Sequence, residues 1–203
     1  MRVGILGGTF DPIHLGHLAA ARAAMECAHL DRVVFIPSAQ PPHRAMAAAP
    51  AKDRLAMTRF AVEGEPRFEV SDIEVGRGGV SYTSDTLSEL RQAHPDDELF
   101  LILGWDAASL FSSWHEPRRV SELASIVIVS RPGTENPGPS ELMAAGLEEA
   151  RIINCFIGTP DVSASEIRDL LEARESVAGK VPAAVERYIT SKHLYGDNRS
   201  VGT

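Results

Sequence analysis

A chain of 203 residues with 44% apolar side chains can bury the core of one domain without a structural metal or a disulfide framework. Its 28 acidic against 20 basic side chains leave a formal net charge of -8, which argues against a broad basic face for nucleic acid, and no apolar run approaches the roughly 20 residues that cross a bilayer. A small phosphorylated ligand stays open, because a few Arg, Lys and His side chains with backbone N–H groups can make a local positive pocket on an acidic protein.

The first strand is expected at Val3 to Leu6, with no signal-peptide cleavage region before it, so the protein is expected to be soluble and cytoplasmic. Directly after it comes Gly7-Gly8-Thr9-Phe10-Asp11-Pro12-Ile13-His14-Leu15-Gly16-His17, ahead of a helix predicted over His14 to Cys27. Gly7 and Gly8 let a phosphate or nucleotide approach the backbone, Asp11-Pro12 turns the chain, and the helix start offers unpaired N–H groups and the positive end of its dipole. The GxGxxG spacing of a dinucleotide fingerprint and the lysine of a Walker loop are both lacking. His14 and His17, three apart, point the same way from one helical turn. They can donate to phosphoryl oxygens and offset charge on departing pyrophosphate; the alternatives are that they cap and pack a helix start, or hold zinc with Asp11. Cys27, in this helix, and Cys155, in a later strand, lack CxxC or Cys/His spacing and are expected to be reduced small core residues.

The second strand, Arg32 to Ile36, leads into a Pro- and Ala-rich loop over Ser38 to Pro50 that carries His43 and Arg44, at a strand end where ligands are often held. Helices follow at Asp53 to Glu63 and Ser84 to Ala93. The strand Leu99 to Leu103 ends in Gly104-Trp105-Asp106, where a carboxylate can accept from ribose hydroxyls or simply cap a helix. Trp114 offers either a flat face for a pyridinium ring or a core anchor. A strand at Ile126 to Val129, a loop from Arg131 to Pro139, a helix at Ser140 to Ala145 and a strand at Ile152 to Ile157 come next. Val162-Ser163-Ala164-Ser165-Glu166-Ile167-Arg168 opens a helix predicted over Ala164 to Glu175, and reads as a second anion-ready terminus or as a capping box of Ser163 with Glu166. A last helix spans Pro182 to Lys192. The alternation implies an α/β, Rossmann-like, doubly wound and mainly parallel sheet with helices on both faces.

Gly8 to His17 resembles the (H/T)xGH region of the nucleotidyltransferase superfamily, in the GGTFDPIHxGH form of bacterial nicotinate-nucleotide adenylyltransferases. Val162 to Arg168 resembles the superfamily's ISSTxIR motif, with Val162, Ala164 and Ser165 departing from it. Pro37 to Arg44, Arg54 to Met57, Ser81 to Leu87 and Trp114 to Pro117 are similar to the nicotinate branch, and the likeness runs to about Tyr195. It implies a single nucleotidyltransferase domain over 1–196 with a flexible tail at 197–203, and a reaction of ATP with nicotinate mononucleotide that yields deamido-NAD and pyrophosphate.

By the resemblance, His14, His17 and Arg168 would act catalytically on the triphosphate, and Gly7, Gly8, Thr9, Gly104, Asp106, Ser163 and Ser165 would hold ATP. His43, Arg44, Thr86, Trp114 and His115 would hold nicotinate mononucleotide, the tryptophan stacking on the ring and N–H groups near Thr86 and His115 binding the carboxylate. Arg44 stands where the family most often has lysine. Mg2+ would accompany ATP, with no metal site on the protein itself, and a homo-oligomer is left open. The alternatives are a phosphopantetheine adenylyltransferase, which shares the first motif but not the SYTxDT-like and WHEP-like segments, and a noncatalytic nucleotide sensor.

Overall fold

The computed structural model describes residues 1–41, 47–130, 137–156 and 162–196. Six parallel strands form one sheet: β1 (Arg2–Gly8), β2 (Arg32–Pro37), β3 (Phe68–Val70), β4 (Glu98–Gly104), β5 (Ala124–Ser130) and β6 (Ile152–Phe156), in the order β3-β2-β1-β4-β5-β6. Nearly continuous apolar runs build it, as a parallel sheet covered on both faces requires; all seven residues of β5 are buried. Side chains alternate between two cores. Val33, Phe35, Phe100, Ile102 and Val127 face one, Val34, Ile36, Leu101, Leu103, Ile126 and Ile128 the other. Each such fully buried aliphatic or aromatic side chain contributes on the order of 2 kcal/mol.

The first core is covered by α1 (Leu15–Cys27), α2 (Ala51–Val62), α8 (Ala164–Glu172) and α9 (Ala183–Lys192), through residues such as Leu18, Met57, Ile167 and Val185. The second is covered by α4 (Thr83–Ala93), α5 (Trp105–Ala108) and α6 (Pro117–Leu123), through Leu87, Ala108 and Val120. Two short helices, α3 (Ile73–Arg77) and α7 (Pro139–Ala144), sit beside them.

The strand order reverses direction between β1 and β4, which is where an open α/β sheet leaves a crevice. Pairing shows the crevice opening. β1 and β4 are paired only as far as Ile5 with Leu101, whereas β1 continues beside β2 to Gly8 with Pro37, and β4 beside β5 to Gly104 with Val129. The glycine ends of both central strands therefore diverge at the sheet's C-terminal edge.

The five expected strands and six expected helices are present, with ends shifted by up to three residues. His43 and Arg44, most of the Arg131 to Pro139 loop, Ile157 and the tail from 197 lie outside the described residues. The reading of the cysteines as separate thiols is corrected: Cys27 and Cys155 form a disulfide, with Cα atoms 6.0 Å apart across 128 positions of sequence. Cys155 is buried in β6 while Cys27 is exposed at the end of α1, a helix that packs on that strand. Their spacing in sequence carries no trace of a proximity created by helix-on-sheet packing.

Candidate active site

Beyond Gly8 the chain turns through Thr9, Phe10 and Asp11-Pro12 into α1, with His14 at the N-cap. Phe10 adopts a left-handed backbone (φ 49) and is 2% exposed; its ring meets His17 edge-on at 5.0 Å between centroids and leans on Phe35. The loop is thus pinned to the core by the same residue that turns it. A Cβ placed on Gly7 would stand in open space, so this strand end is accessible to a ligand.

The His14 and His17 rings stack with centroids 3.7 Å apart, on one side of the first turn, as their spacing predicts. The His14 backbone N–H donates to His17 Nδ1 at 3.2 Å. In the neutral ring this assigns the His17 proton to Nε2.

Asp11 is 6% exposed, and its carboxylate accepts from the N–H groups of Ala48 and Ala49 and from the Tyr195 hydroxyl, at 2.7, 3.0 and 2.7 Å. The Asp11 carboxylate thus ties the turn to other elements, and no group of three or more His, Cys, Asp or Glu among the described residues could hold a metal ion. Arg54, 1% exposed, donates to the carbonyls of Thr9, Ala39 and Ala49 at 2.6, 3.0 and 3.1 Å. Burial lowers its pKa, opposed by the charge of Asp11. Sequence reasoning placed Arg54 only within a resemblance and Tyr195 only at its end; neither lies near the loop in sequence.

The second motif reaches the same place. Ser163 caps α8, its hydroxyl accepting from the Glu166 N–H at 3.1 Å, so the capping reading holds. Arg168 extends from that helix to donate to the Asp11 carbonyl at 2.7 Å and to the Ser165 hydroxyl at 3.2 Å. Ser165 is exposed. On the opposite side of the crevice, Gly104 precedes α5 with open space where a Cβ would stand, and Asp106 is exposed in that helix's first turn.

Beside the β4 end, Tyr82 at the N-cap of α4 packs its ring on His115, centroids 4.2 Å apart, and half-buried Trp114 rests on Phe111. Two segments that only resemblance linked are therefore adjacent. Thr86 itself is engaged within the fold. Its N–H donates to the Tyr82 carbonyl at 3.2 Å, and its buried hydroxyl donates to Glu74 Oε1 at 2.7 Å while accepting from Arg77 at 3.1 Å. Thr86 is a strut under the helix. The first-turn N–H groups that a helix start offers belong to Thr83, Ser84 and Asp85. The stem before residue 42 is fixed here too: the Ala39 N–H donates to the Ser81 hydroxyl at 2.9 Å.

The cytidylyltransferase-like family matches residues 5–170. A protein of Thermus thermophilus named "probable nicotinate-nucleotide adenylyltransferase" is 46% identical over 197 residues, covering 96% of this chain and 100% of the relative. One of the same name from Geobacter sp. is 41% identical over 216 residues, covering 98% and 100%. A Plasmodium falciparum nicotinic acid mononucleotide adenylyltransferase, solved in complex with NaAD, shares the fold with a TM-score of 0.79 at 18% identity, covering 96% of this chain and 97% of that one.

Proposed function

The chain belongs to the nicotinate-nucleotide adenylyltransferase family, and from that membership we propose how its site divides the work of transferring AMP from ATP to nicotinate mononucleotide. A 5'-phosphate oxygen of the mononucleotide attacks the α-phosphorus of ATP in line. The bond to the bridging oxygen breaks, pyrophosphate leaves with that electron pair, and deamido-NAD forms. The attacking phosphate is already ionised near neutral pH, so no general base is needed. ATP enters as its Mg2+ complex, the ion neutralising the phosphate chain on the substrate itself.

His14, His17 and Arg168 take up charge on the departing pyrophosphate, and the Gly7 to Thr9 backbone with Ser163 and Ser165 lines the phosphate path. Gly104 and Asp106 serve the nucleoside of ATP. Trp114 and His115, with the first turn of α4, receive the nicotinate ring and its carboxylate; His43 and Arg44 approach the mononucleotide phosphate. The observation that carries this reading is the 2.7 Å bond from Arg168 to the Asp11 carbonyl, which joins two phosphate-binding motifs 157 residues apart at one crevice. No helix among the described residues is long and apolar enough to cross a membrane, and we assign this ATP-dependent chemistry to the cytoplasm.

Helix-start N–H donors suit a carboxylate, whereas a carboxamide turns an NH2 group toward one of them and leaves it unsatisfied. Nicotinate mononucleotide should therefore be preferred over nicotinamide mononucleotide by on the order of 100-fold or more in kcat/KM. Purified protein with ATP and Mg2+ is given each mononucleotide, or phosphopantetheine, and products are resolved by chromatography with pyrophosphate assayed. Deamido-NAD from the acid alone supports the assignment. Equal yields from acid and amide sink the selectivity argument, and nucleotide binding without any product overturns the catalytic reading.

A further inference from the structure

The turn that carries the first phosphate motif is fixed from a distance. After α9 the chain passes through His193 and Tyr195, both with left-handed backbones (φ 52 and 62), a conformation that non-glycine residues seldom adopt. That reversal returns the Tyr195 ring to the loop after β1, 184 residues away in sequence, where its hydroxyl donates to Asp11 Oδ1 at 2.7 Å. Burial, then the bond to Asp11, raises the phenol's pKa, so the ring stays a donor throughout the working range. Asp11 lies between Thr9 and His14, and its own carbonyl is the anchor for Arg168.

We infer that Tyr195 is a positioning residue for catalysis: through its bond to the Asp11 carboxylate it sets the turn from which His14 projects and on which Arg168 rests. The inference deepens the functional reading above, since it takes those two side chains as the groups that meet the triphosphate. Among the described residues three donors hold the carboxylate, and two of them, the Ala48 and Ala49 N–H groups, belong to the stem before α2. Tyr195 is the third, and its loss lets the carboxylate follow the stem. The peptide carbonyl under Arg168 then rotates, while Arg54 still holds the Thr9 carbonyl. Substrate binding through the backbone survives better than alignment of the charge-stabilising groups, so the loss falls on kcat rather than KM.

A matched control exists within the chain. Tyr188 donates to Asp53 Oδ1 at 2.9 Å, the same kind of bond between α9 and α2, without touching the turn. Wild type, Tyr195→Phe and Tyr188→Phe are compared in turnover, thermal unfolding and amide hydrogen exchange. Tyr195→Phe should lose about tenfold in kcat with KM for ATP changed by less than about threefold, while Tyr188→Phe keeps the wild-type kcat. Exchange at the Ala48 and Ala49 amides should quicken about tenfold in Tyr195→Phe alone. A kcat for Tyr195→Phe within about twofold of wild type, or an equal loss in Tyr188→Phe, overturns the inference. Failure of wild type to make deamido-NAD would instead sink the substrate assignment, and the exchange measurement, which needs no substrate, still decides the tether.

Discussion

Gly16 carries no functional group, yet the stacked histidines depend on it. A Cβ there would stand 3.0 Å from His14 Nδ1, 3.1 Å from Cε1 and 3.6 Å from the Val162 carbonyl, so the ring must move before any side chain fits. Alanine is worth about 0.5–1 kcal/mol over glycine inside a helix, which offsets part of the clash. Gly16→Ala is therefore expected to melt close to wild type, within about 1 kcal/mol, while kcat falls several-fold because the His14 ring must shift by a few tenths of an ångström against His17. Steady-state kinetics beside a thermal melt separates the two effects. A variant that keeps full turnover would show that the pair's stacked geometry is dispensable for the reaction.

At the scale of elements, the start of α4 is held from beneath by α3. Glu74, 7% exposed, accepts from the Thr86 hydroxyl, with Ser81, Arg77 and Glu89 as its other polar neighbours. Burial raises its pKa above the ordinary carboxylate value, and the bonds from Thr86 and Ser81 and the charge of Arg77 only partly oppose this. The folded chain therefore holds this proton at pH values where the unfolded chain has released it. Stability from this group falls as pH rises from the unfolded pKa through the folded one, then levels off. Glu74→Gln keeps an acceptor for Thr86 and removes the titration, so its stability relative to wild type should climb across that interval. Denaturant midpoints over a pH series check this; parallel curves would contradict it. The same corner marks where sequence was legible and where it was not. Long apolar runs disclosed five strands, but Phe68-Glu69-Val70 is too short at the sheet edge to show a period, and α3, α5 and α6 are likewise only a turn or two long. Predicting α4 from Ser84 instead of Thr83 hid which N–H groups its first turn offers. Both proposed phosphate motifs were legible because a glycine pair, a histidine pair and a capping box are local patterns. Asp11, Arg54 and Tyr195 were not, because their roles arise only once the chain has folded back on itself.

Across the whole molecule, the two motifs proposed to hold phosphate belong to elements at opposite ends of the chain, and a covalent link runs between those elements. α1 carries the histidines at its start and Cys27 at its end; β6 carries Cys155 and precedes the segment that leads to α8. The disulfide closes a span of 128 residues, and fixing so long a loop in the unfolded chain stabilises the fold by about 3 to 5 kcal/mol. For a domain of this size that corresponds to a shift in Tm on the order of 10 °C. Its effect on chemistry should be smaller, because the bond sits a helix length, about 20 Å, from His14, where the turn has its own anchors in Arg54, Tyr195 and Phe10. A dithiol reductant is thus expected to lower the thermal midpoint of wild type while leaving kcat at 25 °C unchanged. Cys27→Ser removes the link from its exposed side without opening a cavity around Cys155, and should melt at the reduced wild-type temperature whether or not reductant is present. Coincident midpoints for oxidised and reduced wild type would mean that the helix and strand are held by packing alone.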